Sequence, residues 1–210
     1  MKVAIRDLAR GWYLTRRNRM IKELIKKNRS VRRFYEEYLI SLETLEGLVD
    51  LARLSPSAGN LQPLKYILSN TPERNEKILS CLSWAAYLKD WPGPEKGERP
   101  SAYLVILGDR EISKNFLCDH GIAVQSILLG AREQGLGGCI IGSINRKMLS
   151  ELLNIPGRFE ILLVTALGKP REEVLLEEVR EGGSIRYWRD DRGVHHVPKR
   201  RLRDIIIDLP

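Results

Sequence analysis

Arg29, Ser30 and Arg32 set two guanidinium groups and a hydroxyl close together in the stretch NRSVR, residues 28–32. A guanidinium fork matches the oxygens of a phosphate better than other side chains do. On an extended chain Arg29 and Arg32 would lie on opposite faces, whereas a turn or a helix end lets them converge. At the far end of the chain, VPKRRLRD places Lys199 and Arg201 two residues apart. If that segment is extended, both point the same way and form a two-cation clamp. Taken alone, each stretch also fits a solvated basic surface.

Two further stretches share this polar, close-approach character. GLGGCIIGS, residues 135–143, holds glycines at 135, 137, 138 and 142. Glycine lets backbone N–H groups come close to a flat or anionic ligand. The spacing is not GxGxxG and does not open a long helix after a first strand, so a dinucleotide-binding βαβ unit is not supported. The plainer alternative is a helix C-cap followed by a bulged strand. The fourth stretch, SPSAGNLQP, residues 55–63, packs small and amide side chains between Pro56 and Pro63. A ligand with a phosphate at one end and a flat polar ring at the other would use all four stretches.

The rest of the composition narrows the class. The chain has 210 residues, 43% hydrophobic and 30% charged, which fits one folded domain with a sizeable core. The most apolar stretch, IAVQSILLGA, falls short of the ~20 residues of a membrane span. No secretory leader is recognisable, so a cytoplasmic location is expected. Cys81, Cys118 and Cys139 form no CxxC pair and read as free thiols, and His120, His195 and His196 have no ligand-like spacing to them, so no metal is expected. Adjacent His195 and His196 would point apart on a strand. The net charge of +8 is uneven. Residues 1–33 hold twelve Lys or Arg against Asp7 and Glu23, a local +10 that leaves −2 for the remainder. A basic segment of this kind allows a non-catalytic nucleic-acid-binding protein as the rival reading.

The elements that must carry these stretches are set by periodicity and caps. Residues 16–27 suit a helix with Met20, Ile21, Leu24 and Ile25 on one side. Residues 42–54 repeat apolar positions at helical spacing behind Ser41 as N-cap. Thr71-Pro72-Glu73 starts a helix expected to reach about Leu82. Tyr103–Leu107 is a buried strand. Asp119–Gln134 is an apolar central helix ended by Gly135. Cys139–Ile141 is a short strand, and Asn145 caps a helix through Leu153. Ile161–Leu167 is a buried strand stopped by Gly168-Lys169-Pro170. Ile205–Ile207 reads as a last strand. Without strict βαβ alternation, the prediction is α+β: a mostly antiparallel central sheet flanked by helices.

In order along the chain, NRSVRRF, PSAGNLQP, GLGGCIIG and KRRL resemble the signatures of the nitroreductase family of FMN-dependent oxidoreductases, over roughly residues 20–207. The resemblance divides the chain into an N-terminal basic extension, 1–20, and an FMN-binding domain, 21–210. It implies a homodimer with FMN at the subunit interface and a C-terminal strand extending onto the partner. Arg29, Ser30, Arg32, Lys199 and Arg201 would serve the phosphate and the polar edge of the ring. The loop of Pro56, Ser57, Ala58, Asn60 and Gln62 would reach the partner's flavin. Ile140, Ile141, Gly142 and Ser143 would face the ring. The implied reaction takes electrons from NADH or NADPH to a small-molecule acceptor such as a nitroaromatic or quinone. A specialised branch, such as reductive dehalogenation or metabolite oxidation, is the enzymatic alternative. No acid–base residue is singled out. The turn-rich WPGPEKGERP, residues 91–100, is expected to cap the substrate side. Trp12 and Leu14 are expected to anchor the extension on the dimer surface.

Overall fold

The computed structural model describes residues 20–209. The Trp12 and Leu14 anchors, and most of the 1–20 extension, lie outside the described residues. Residues 20–27 form a helix, α1, whose Met20, Ile21 and Ile25 are exposed in the single chain.

The centre is an antiparallel sheet. Strand β3 (Ala102–Asp109) runs between β2 (Leu64–Ser69) and β5 (Phe159–Pro170). The other edge of β5 carries two strands end to end. Strand β4 (Gly137–Ile141) pairs with Val164–Gly168, and β1 (Phe34–Tyr35) with Lys169–Pro170. All eight residues of β3 are buried, because helices cover both faces. Side chains alternate across a strand. Ala102, Leu104 and Ile106 therefore pack with helices α2 (Leu42–Arg53) and α4 (Asp119–Glu133). Tyr103, Val105 and Leu107 pack with α3 (Pro72–Leu79) and α5 (Arg146–Leu153). This two-sided burial is why the sequence there is a continuous apolar run rather than an alternating one.

The caps act largely as the sequence predicts. Ser41 Oγ accepts the Thr44 N–H at 3.1 Å, and Asn145 Oδ1 accepts the Met148 N–H at 3.2 Å. Gly135 adopts φ +74°, and Leu136 N–H bonds back to the Ala131 carbonyl at 2.9 Å, which closes α4 in a Schellman motif. Helix α3 ends at Leu79, short of Leu82, where the chain turns to pair Leu82 with Ile144.

Two expectations need correction. Gly168-Lys169-Pro170 does not stop β5. Gly168 is buried, and a Cβ there would meet the Phe34 ring at 2.6 Å, so glycine is present to let β1 close on the strand. Ile205–Ile207 forms no strand. A 3₁₀ turn spans Leu202–Asp204, and the isoleucines beyond it are 60–80% exposed. A strand needs a neighbour for its N–H and C=O groups; among the described residues no strand lies beside these, and the Ile205 N–H turns back to the Leu202 carbonyl at 3.2 Å. The fold also contains a small second sheet that the sequence does not announce. Strand β8 (His195–Lys199) pairs parallel with β6 (Val174–Glu178) and antiparallel with β7 (Trp188–Arg189).

Candidate functional site

Ser30 bridges to Gly138, and the Val31 N–H donates to the Gly138 carbonyl at 2.9 Å, which lays the basic stretch beside the start of β4. Val31 is buried there. The Glu172 side chain, 1% exposed, pins the next two residues of the chain. One of its oxygens accepts the Arg32 N–H at 2.5 Å and the Arg33 N–H at 3.2 Å; the other takes Arg189 Nη2 at 2.8 Å. Arg33 itself is held by a two-point ion pair with Glu98, which keeps that carboxyl below its usual range.

This arrangement opens a cavity of about 310 Å³. Its lining includes Arg29, Ser30, Arg32, Leu128, Ile140, Tyr187, His195 and Lys199. The N-terminal cations and Lys199, predicted at opposite ends of the sequence, are thus brought to one place by β4 and β8. Arg29 Nη2 donates to the Ile25 carbonyl at 2.7 Å, while its Nε is buried with no partner among the described residues. Burial lowers the Arg29 pKa.

Like Tyr187, His195 is a cavity residue that sequence reading missed. It is 1% exposed, and its Nε2 lies 3.3 Å from Arg32 Nη1. Arginine only donates, so Nε2 accepts and the neutral ring carries its proton on Nδ1. That Nδ1 is buried and has no partner among the described residues. Burial, then the positive charges of Arg32, Arg189 and His196, push the His195 pKa down to about 4. The Tyr187 ring, 5.2 Å from His195 by centroid, also lies 5.0 Å below the Arg32 guanidinium. His196 points away, as the strand pattern requires, to Glu177 at 2.5 Å and Asp190 at 3.4 Å, stacked on Trp188.

The other predicted residues are placed differently. Ile141 is buried in the core, and Gly142 and Ser143 lie exposed just beyond β4. Gly137 and Gly138 answer to packing: a Cβ at Gly138 would meet the Ala166 carbonyl oxygen at 2.5 Å. Arg201 does not line the cavity; it leaves the strand and pairs with Asp204 at 2.9 Å. The 91–100 loop packs towards the C-terminal sheet, with Arg189 5.0 Å over the Trp91 ring.

The SPSAGN loop lies outside the cavity. Ala58–Asn60 is a 3₁₀ turn, and Gly59, Asn60 and Gln62 all take left-handed backbone angles. Pro56, Ser57 and Gln62 line a separate cavity of about 190 Å³ with Tyr66 and Asp119. Ala58 is half-buried, and Asn60 is exposed, its Oδ1 accepting Gln62 Nε2 at 3.2 Å. The loop is held by Asp119, a second residue the sequence did not single out. Its signal, an acid in the first turn of α4, reads equally well as a complement to the helix dipole.

Among the described residues no cluster of His, Cys, Asp or Glu is placed to hold a metal, and no helix is long and apolar enough to cross a membrane.

Known proteins resemble this chain in sequence and fold. The profile of the nitroreductase family matches residues 25–169. A provisionally named NADH dehydrogenase/NAD(P)H nitroreductase of Archaeoglobus fulgidus is 32% identical over 72% of this chain and 86% of its own. The oxygen-insensitive NADPH nitroreductase of Helicobacter acinonychis is 26% identical over 72% and 88%. The crystal structure of a nitroreductase family protein from Clostridium novyi NT, 26% identical, superposes with a TM-score of 0.60 over 71% of this chain and 86% of that one. The α+β sheet, the order of the four stretches and these matches agree: the chain belongs to the nitroreductase family of oxidoreductases.

Proposed function

We propose that the protein binds FMN in the 310 Å³ cavity and passes electrons from NADH or NADPH to a small oxidised acceptor such as a nitroaromatic or a quinone. One observation carries the reading. Arg29, Ser30, Arg32 and Lys199 converge on a single cavity in which two buried nitrogens, Arg29 Nε and His195 Nδ1, have no partner among the described residues. Both are donors, which suits a ligand rich in acceptor oxygens and ring nitrogens. When bound, the flavin supplies the redox chemistry that side chains lack.

The chain's own residues hold and bias it. Arg29, Ser30 and Lys199 offer charge-assisted bonds for a phosphate. Arg32 is kept in place by His195 and Tyr187, so its positive charge is pre-organised to stabilise negative charge at the polar edge of a ring. Arg201 joins the phosphate set only by giving up Asp204. Ile140, 42% exposed at the cavity, offers an apolar face, with Gly142 and Ser143 at its end.

A homodimer completes this site. Within one chain the SPSAGN loop lines a different cavity, so Asn60 and its neighbours serve a flavin only across an interface. Two features support that assembly. Among the described residues, strand β2 has β3 on one side and no strand on the other. Apolar side chains of α1 and of Ile205–Ile207 stay exposed in the single chain.

The test is direct. Purified protein should carry an oxidised-flavin absorbance that bleaches when NADH or NADPH is added anaerobically. A colourless preparation that takes up no added FMN would reject the proposal.

A further inference from the structure

The α3 side of the sheet, away from the proposed flavin cavity, holds another cavity of about 180 Å³. It is bounded by Glu36 and Leu39 after β1, by the first turns of α3, and by residues 99–103 leading into β3. Tyr103, 1% exposed, and Ser101, 5% exposed, both line it. Eight buried side-chain polar atoms lack a hydrogen-bond partner among the described residues, and three belong to this lining: Tyr103 Oη, Ser101 Oγ and Arg99 Nε. Buried polar atoms are almost always paired, so three on one cavity call for a specific cause.

Each neighbouring polar side chain already makes at least one hydrogen bond. Asn75 donates to the Ser101 carbonyl at 2.8 Å and accepts from Ser69 Oγ at 2.8 Å. Asn70 donates to the Ile40 carbonyl at 3.2 Å. Glu36 accepts the Gly97 N–H, and Glu76 takes Arg99 Nη1 at 2.6 Å. The buried lining atoms left without a partner among the described residues are one obligate donor, Arg99 Nε–H, and two hydroxyls able to donate. Burial drives the Tyr103 pKa far up, with Arg99 opposing and Glu76 and Glu36 adding, so the phenol keeps its proton. The remaining walls are apolar: Leu39, Pro72, Leu79 and Pro100. The charge of Arg99 is outweighed by Glu36 and Glu76, which disfavours an anion.

We propose that this cavity binds a small neutral molecule with an apolar body and a carbonyl or amide oxygen, the oxygen taken by Tyr103, Ser101 and Arg99. The cavity exceeds the roughly 30 Å³ share of one liquid water several-fold, so a single bridging water would not fill it. The proposal is independent of the flavin assignment.

The experiment uses benzamide as probe and benzoate as its charged counterpart, titrated into the purified protein with the leucine methyl resonances of Leu39 and Leu79 observed by NMR. Saturable shifts with benzamide are expected, and benzoate should bind at least about tenfold more weakly. Tyr103→Phe keeps the ring and removes the hydroxyl, and should weaken benzamide about fivefold to tenfold while leaving flavin content unchanged. Ser101→Ala gives the same reading if Tyr103→Phe does not fold. No saturable shift, equal affinity in both variants, or a benzamide soak that shows only ordered waters bridging the three atoms would overturn it.

Discussion

The Ser57 hydroxyl donates to Asp119 Oδ2 at 2.6 Å, and the other carboxylate oxygen takes the Ala58 N–H at 3.0 Å. The first turn of α4 thereby fastens the SPSAGN loop to the domain, and Ser57 Oγ in turn accepts the Gln62 N–H at 2.9 Å. Bonds to a charged group contribute about 1.5–3 kcal/mol each. Asp119→Ala should therefore lower the melting temperature and, through the loop, weaken FMN binding several-fold. Calorimetry and a flavin titration check both, and an unchanged FMN affinity would detach the loop from the flavin.

Lys199 and Arg201 should part company on mutation. Lys199 faces the cavity, whereas Arg201 is engaged with Asp204. Lys199→Ala is expected to weaken FMN binding about tenfold, the equivalent of one charge-assisted bond. Arg201→Ala should cost less. A larger loss for Arg201 would show that it leaves Asp204 when the phosphate arrives.

The neighbouring histidines tie stability to pH in opposite directions. His195, lowered to about 4, resists a proton that the unfolded chain accepts near 6.5, so its contribution is lost as pH falls from about 6.5 towards 4. His196 is raised, chiefly by its bond to Glu177 with Asp190 adding. Its contribution is present below about 6.5 and is lost as pH rises through the folded value. Denaturation midpoints between about pH 4 and 8 should flatten on the acid side in His195→Gln and on the alkaline side in His196→Gln. Unaltered profiles would remove these rings from the pH response.

Gly168→Ala should destabilise the domain by roughly 1–3 kcal/mol, the usual cost of overpacking. The added methyl meets the fully buried Phe34 ring, which has no room to give. Thermal melting measures this, and a neutral outcome would mean that β1 shifts as a unit.

Removing residues 205–210 should loosen the proposed dimer while leaving each domain folded, because Ile205, Ile206 and Ile207 bury little in the single chain. Light scattering with flavin absorbance over a dilution series is the readout. A dimer of undiminished stability would place the interface elsewhere.

Much of the fold was legible in the sequence where local signals act alone. Ser41, Asn145 and Gly135 set helix ends through their own side chains or backbone freedom, and Tyr103–Leu107 was apolar enough to be seen as a strand. Spacing alone leaves Arg29, Arg32 and Lys199 as basic stretches of unknown relative position, and only the family resemblance implies that they serve one ligand. The features that stayed hidden depend on distant partners. Glu172 is one acid among several until Arg32, Arg33 and Arg189 meet it. The strand pattern points His195 and His196 apart, but which of them faces a cavity is decided by the distant Arg32 and Tyr187. The second sheet was missed because β7 is two residues long and β6 pairs with β8 across about twenty residues of mostly irregular chain.

Strand β5 ends at Pro170 and is the common neighbour of β1, β3 and β4. A chain growing on the ribosome therefore makes its first arginines long before β5, on which both β1 and the glycine-rich β4 must pair. Until residue 170 emerges, β1, β3 and β4 lack their shared neighbour, and at roughly 5–20 residues per second the stretch from Arg29 to Pro170 takes roughly 7–28 s to make. The candidate-site arginines near the start of the protein are thus among the last to find their places, and nascent chains stalled before β5 should remain open to protease from Arg29 to Tyr35.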